Sequence, residues 1–229
     1  MTRTSALIAA LLTTAFAALA DPDEPSPPPA RAVTGAPPGA PGHWSIVTGE
    51  TVSPDRDAIA LEVGWPGASV SYLHGTSDRS DVGIRFDLLY GYENTTDTAF
   101  GLGADVPFRL VVNRSNRVSV ALHVDPGVRL YTHNSVTDFM TRFPVGGSIG
   151  VQATPEVRVA ASADVTMAFN WTHTTFFEIG PQFGLAAEYA SDRNLMLGLN
   201  LKFGPQFVTL SNTGAQLAFT AQVVVGYRM

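Results

Sequence analysis

From about Ala58 to the C-terminus, apolar and polar side chains alternate one by one, and no helical periodicity interrupts them. In Val82 to Glu93, the residues Val82, Ile84, Phe86, Leu88, Tyr90 and Tyr92 fall on one face. Gly83, Arg85, Asp87, Leu89, Gly91 and Glu93 fall on the other. The segment from Thr98 sets Phe100, Leu102, Ala104, Val106, Phe108 and Leu110 against Gly101, Gly103, Asp105, Pro107 and Arg109. Val118 to Leu130, Val157 to Trp171, Phe177 to Tyr189, Leu195 to Phe207 and Leu217 to Tyr227 repeat the pattern. Each run lasts about 11 to 15 residues, against ~5–6 for a globular strand, which is the length of a tilted bilayer-spanning strand.

Alternation by itself fits a soluble barrel as well as a membrane one, and two further features separate them. The apolar rows carry no charge, whereas Glu62, Arg85, Asp87, Asp105, Arg109, Asp125, Arg129, Arg158, Asp164, Glu178, Glu188, Lys202 and Arg228 sit on the opposite rows. The apolar rows are also too bulky to fit inside a small barrel, so they must face an apolar medium outside. The expected fold is all-β: a transmembrane antiparallel up-and-down β-barrel of about ten strands.

Two readings of the first pair reach that count. Ala58 to Trp65 and Ala68 to His74 form two strands joined at Pro66-Gly67, or Ala58 to His74 is one kinked strand and His43 to Thr51 supplies the first. Eight and twelve are the neighbouring even numbers. The links Asn113 to Asn116, Thr154 to Glu156 and Ser191 to Asn194 read as short periplasmic turns. Glu93 to Asp97, His133 to Pro144, Thr172 to Thr175 and Leu210 to Gly214 read as outer loops, the longest carrying Phe139, Met140 and Phe143. Aromatics on the lipid rows gather at two levels. Tyr90, Tyr92, Phe100, Phe169, Trp171, Phe177 and Phe207 lie near the outer ends, and Tyr72, Phe108, Tyr189 and Tyr227 near the inner ends. Prolines fit least comfortably. Gly180-Pro181-Gln182-Phe183 recurs as Gly204-Pro205-Gln206-Phe207 on the next strand, each copy marking a bulge or kink, and Pro107 and Pro126 raise the same difficulty.

The region before the barrel divides in two. Residues 1–20 read as a secretory signal, with Arg3, an apolar run from Ala6 to Leu19 and a small-residue cleavage site at Ala18-Leu19-Ala20. Residues 21–42 are rich in proline, glycine and alanine and read as a disordered periplasmic linker, leaving 43–229 for the barrel. With no cysteine there is neither a disulfide nor a thiolate metal site, and no motif implies a cofactor. A net charge of −6 with no basic stripe speaks against a nucleic-acid partner.

The stretch Tyr72 to Gly83 contains a strand, Gly75, a Thr76-Ser77-Asp78-Arg79 turn and an alternating strand. Glu188 to Asn194 is a weaker copy, and the chain closes on Val223-Val224-Val225-Gly226-Tyr227-Arg228-Met229. In these features the sequence resembles the small β-barrel proteins of Gram-negative outer membranes, departing from them by ending in Met229 rather than an aromatic. The resemblance implies an outer-membrane location, contact with membrane lipid and lipopolysaccharide, and assembly by the barrel-insertion machinery. It implies no activity.

Two constellations are candidates for chemistry. Arg85, Asp87, Asp105, Arg109, Asp125 and Arg129 face the lumen from neighbouring strands, as a salt-bridge filling or as the charged constriction of a narrow passive pore. His133 and Ser135, with Asp138 beyond, resemble locally the His-x-Ser pair and acid of outer-membrane lipid A hydrolases. His173 with Asp97 or Asp138 would be the corresponding protease arrangement. The reading that follows is a non-enzymatic barrel with a structural or interaction role and a largely closed lumen. Its partner contacts would be the 133–144 loop or the 21–42 linker.

Overall fold

The computed structural model describes residues 44–92, 98–115, 117–133, 136–172, 175–209 and 215–229. The signal and linker expected for residues 1–42 lie outside them. Thirteen strand segments form a single sheet: β1 (Asp57–Trp65), β2 (Gly67–Gly75), β3 (Ser80–Leu89), β4 (Phe100–Asp105), β5 (Phe108–Arg114), β6 (Val118–Val124), β7 (Gly127–His133), β8 (Val136–Arg142), β9 (Val145–Gln152), β10 (Val157–Asn170), β11 (Phe176–Ala190), β12 (Leu195–Val208) and β13 (Ala215–Arg228). Three breaks, at Val106-Pro107, Asp125-Pro126 and Phe143-Pro144, divide what are otherwise single staves. Thirteen segments less three breaks leave ten staves, β4/β5, β6/β7 and β8/β9 each counting once. All pairs are antiparallel, and β1 pairs with β13 from Ala58↔Arg228 to Trp65↔Ala221, closing the ring. Of the two readings of the first strands, the structure adopts the one with a turn at Pro66-Gly67. Residues 44–56 form no strand.

The side-chain sorting is the inverse of a soluble barrel. Leu61, Phe86, Leu102, Leu122, Ile149, Leu185, Leu199, Phe203 and Val223 project outward and are exposed, while Glu62, Asp105, Arg129, Arg158, Asp164 and Glu188 are buried inside. Inward rows mix charged and polar residues with alanine and glycine, and the glycines make room. A Cβ on Gly103 would stand 2.5 Å from a guanidinium nitrogen of Arg129. Such an outer surface is stable only against an apolar medium.

The prolines sit in the ladder without bulges. Across Pro107 the register of β3 stays constant, from Arg85↔Asp105 to Val82↔Phe108, and Gly83 N–H still donates to the Pro107 carbonyl (2.9 Å). Pro126 and Pro144 behave alike, their carbonyls accepting from Val106 (2.8 Å) and Asp125 (3.0 Å). Each proline omits one N–H and shifts nothing. The two Gly-Pro-Gln-Phe copies lie face to face: pairing holds at Ile179↔Phe207 and Phe183↔Phe203 with the same register on both sides, placing Pro181 opposite Pro205. The expected bulges are therefore absent there. Among the described residues, the register shifts once, between Val111 and Asn113 in the β5–β6 pair.

Three turns share a four-residue form in which two N–H groups converge on one carbonyl: Thr76 and Ser77 on Ser80, Thr154 and Ala153 on Val157, and Ser191 and Asp192 on Leu195. In the last, the Asp192 carboxylate also accepts from the N–H groups of Asn194 and Leu195, and these bonds hold its pKa below the ordinary carboxylate value.

The stretch expected as the longest outer loop, His133 to Pro144, is instead mostly strand. β8 pairs with β7 from His133↔Val136 to Gly127↔Arg142, so the connection itself is only residues 134–135. Its Thr, Asp and Arg residues obscure the alternation, yet Met140 points inward and is buried while Phe143 is exposed outside. Tyr92 also departs from expectation. The chain leaves β3 at Leu89, and Tyr92 turns off the lipid row to pack on Tyr131, ring centroids 4.6 Å apart.

An arginine placed on the outward row, as in Leu102→Arg, is expected to destabilise the folded barrel by about 2–4 kcal/mol, the cost of a mid-bilayer charge. Reversible urea unfolding in lipid vesicles measures it. Asn200→Arg, on the inward row, should cost far less.

Candidate functional site: a plugged and charge-lined lumen

Residues 44–53 turn into the lumen at the end where the four short turns lie. They are apolar enough to fill space and polar enough to be held. Trp44, Ile46 and Val52 are buried and join Ala58, Ala60, Leu73, Met196 and Val224 of the wall in one cluster. The segment forms no ladder with the wall, and charged and hydroxyl side chains from the staves grip its backbone instead. Glu188 accepts from the N–H groups of Ile46 (2.7 Å) and Val47 (2.8 Å) and from the Thr48 hydroxyl. Arg158 donates to the Thr48 carbonyl (3.2 Å), Ser119 to the Gly49 carbonyl (2.9 Å) and Arg109 to the Ile46 carbonyl. Val52 N–H donates to Asp81 (3.0 Å). The plug returns one charge: Glu50 is paired with Arg114 (2.6 Å) and Arg158 (3.4 Å).

The turn inside the plug depends on Gly49, whose φ of +81° is in the left-handed region. Gly226 makes the matching space in the wall, since a Cβ there would stand 2.8 Å from Ile46 Cγ1.

Above the plug, two ion-pair groups stand on the wall. Arg85 and Arg129 share Asp105, Arg129 as a two-pronged fork (3.0 and 2.8 Å) and Arg85 at 2.6 Å. Asp87 lies 3.4 Å from Arg85 and 3.1 Å from Arg129. The second group is built on Asp164, bonded to His123 and to Lys202 (3.0 Å). Higher still, Leu89, Ala99, Tyr131 and Met140 form a small apolar layer on which Tyr92 rests. Plug, ion pairs and a small aromatic layer thus occupy three successive levels of the lumen.

The structure brings together Arg85, Asp87, Asp105 and Arg129 of the sequence-derived charge cluster. Arg109 is directed elsewhere, pairing with Asp81 (2.5 Å) beside the plug. Asp125 makes no side-chain ion pair or hydrogen bond among the described residues. The plug's holders Glu188, Arg158, Asp81 and Ser119 were not singled out by the sequence as a unit. Their partners are backbone atoms more than 100 residues away in the case of Glu188 and Arg158, and no local motif marks such a contact.

Of the hydrolase-like set, Ser135 lies outside the described residues, as do His173 and Asp97. His133 ends β7, and Asp138 accepts from Asn170 (3.2 Å) and Thr172 (3.1 Å) rather than bonding to His133. Among the described residues, no three acidic or imidazole side chains gather as a metal site.

No protein-family model matches the sequence, and no curated relative matches it. Among solved structures the chain is similar to Ail, the attachment invasion locus protein of Yersinia pestis. The identity is 8% over 76% of this chain and 94% of that one, with a TM-score of 0.22. The fold assignment rests on the closed register of the ten staves and not on that likeness.

Because the chain has no cysteine, Thr51→Cys gives a single reporter buried in the plug. It should resist maleimide in the folded barrel. Adding Glu188→Ala strands three donors at a cost of about 3 kcal/mol, which should speed labelling by about two orders of magnitude. Equal rates with and without Glu188 would mean the grip is not what holds the plug.

Proposed function

We propose that this protein is an outer-membrane barrel with a structural or interaction role, non-enzymatic and closed at rest. One observation supports the reading most: residues 44–53 occupy the turn end of the lumen and are held there by buried charges. A bonded plug, ion pairs and an aromatic layer inside the lumen support a closed resting state, and the apolar outer belt suits a lipid bilayer. In this orientation the turn end faces the periplasm. The 21–42 linker would reach into that compartment as a tether to an envelope partner, and the loop end would meet lipopolysaccharide.

Two measurements test the reading. The refolded, full-length mature protein in a planar bilayer should be silent at ordinary voltages, and steady openings would replace this reading with that of a passive pore. Ser135→Ala should leave lipid A composition unchanged in cells. A change in acylation would restore the hydrolase reading.

A further inference from the structure

Inside the barrel, charges of both signs face the hollow of about 110 Å³ above the plug: Arg85, Arg109, Lys202 and His123 stand against Glu62 and Asp125. The lipid-facing side differs, because its rows are apolar between the two rims. At the turn end of β1 and β2 those rows finish in an ion pair. Asp57 shares the outward row of Ile59 and Leu61, and His74 shares that of Val70 and Tyr72. The register sets Asp57 opposite His74, and one step further in it sets Ile59 between Tyr72 and Tyr227.

Hydrogen bonds hold this pair in place. The Tyr72 hydroxyl and His74 Nδ1–H both donate to Oδ1 of Asp57, each at 2.8 Å. Oδ2 of Asp57 and Nε2 of His74 bond to nothing among the described residues. Both remain accessible, the two side chains being 37% and 46% exposed. His74 is the only charge that acts on Asp57, and Arg56, next in the chain, lies toward Arg228, whose guanidinium covers Trp44 of the plug.

The tyrosines set the depth of the pair. Rings with one wet edge settle at the membrane interface, and Tyr72 turns its hydroxyl to the rim, so Asp57 and His74 lie in the headgroup layer. A carboxylate and an imidazolium fixed side by side there are complementary to a headgroup that carries an ammonium and a phosphate. In phosphoethanolamine only two carbons join those groups, which lets one headgroup meet both side chains. The primary ammonium donates to Oδ2 of Asp57, and Nε2–H of the protonated imidazole donates to the phosphate. A choline headgroup has no N–H to give, a glycerol headgroup has no cation, and a serine headgroup adds a carboxylate that Asp57 repels.

We propose that Asp57 and His74 form a binding site on the outer wall of the barrel for the headgroup of an ethanolamine phospholipid, in the leaflet at the turn end. The proposal rests on the bilayer reading above and is independent of whether the lumen is closed.

Native mass spectrometry tests it, with the refolded, full-length mature protein released from micelles that hold equal amounts of four phospholipids. The ethanolamine lipid should be retained about fivefold over the choline, glycerol and serine lipids, the range open to an exposed charged contact. Successive N-methylation of the ethanolamine lipid should lower retention stepwise, because each methyl removes one donor, and this series needs no variant. Asp57→Asn, confirmed as folded by heat-modifiable migration, should remove the preference for ethanolamine over choline. His74→Gln should weaken retention and leave the order of the N-methyl series intact. Equal retention of the four lipids, a flat N-methyl series or a preference that survives Asp57→Asn overturns the site. Stronger retention of the glycerol or serine lipid overturns the choice of headgroup. The bilayer reading fails separately, if the unaltered protein does not insert into lipid vesicles.

Discussion

A sheet surrounded by an apolar medium cannot have an edge, because an unpaired strand would expose N–H and C=O groups with no water to receive them. The β1–β13 pairing meets that requirement, running without a break from Ala58↔Arg228 to Trp65↔Ala221. Closure then dictates where the other side chains go. With the backbone satisfied within the ring, the apolar row of every stave must turn out, and the charges between the two rims are confined to a narrow interior. The same closure limits what proline can do. Pro107, Pro126 and Pro144 each remove one ladder bond but hold register, since the neighbouring staves are fixed by the ring on both sides. Pro181 and Pro205 face each other, so their two missing donors fall at one place rather than at two.

Charge confined in this way has to be compensated locally. Asp105 between Arg85 and Arg129 and Asp164 between His123 and Lys202 do so wall to wall. At the turn end, wall residues are compensated by the chain's own N-terminal segment. Glu188 is bonded by backbone N–H groups and a hydroxyl, and Arg158 and Arg114 by Glu50. Neither part is well satisfied alone. Without the plug Glu188 has lost the donors on which it rests, and without the wall the plug's carbonyls and N–H groups have no partners. Such mutual dependence can position a segment that has no regular secondary structure, and it makes the position sensitive to single charges.

The alternation of Val82 to Tyr90 or Leu195 to Phe207 is a local property of the chain, and from it, together with the confinement of charge to one row, follow the barrel, a count of about ten staves, its inside and its outside. The reason is that a strand's side chains alternate with period two, whatever its neighbours are. The turn residues around Thr76 to Arg79 and Ser191 to Asn194 were legible for the same reason, their bonds spanning four or five positions. Adjacency across a turn was enough to join Arg85 to Asp105 and Asp105 to Arg129. The tertiary structure decided what depends on distant chain segments meeting. It placed 44–53 inside rather than in the wall, because Glu188 and Arg158, far along the chain, supply its partners. It turned 136–142 into a stave, because β7 and β10 pair with it although its own pattern is weak. It sent Arg109 to Asp81 and left Glu62 and Asp125 facing a hollow, because which lumen charges meet depends on how staves from opposite sides of the ring face one another, and no short stretch of sequence encodes that.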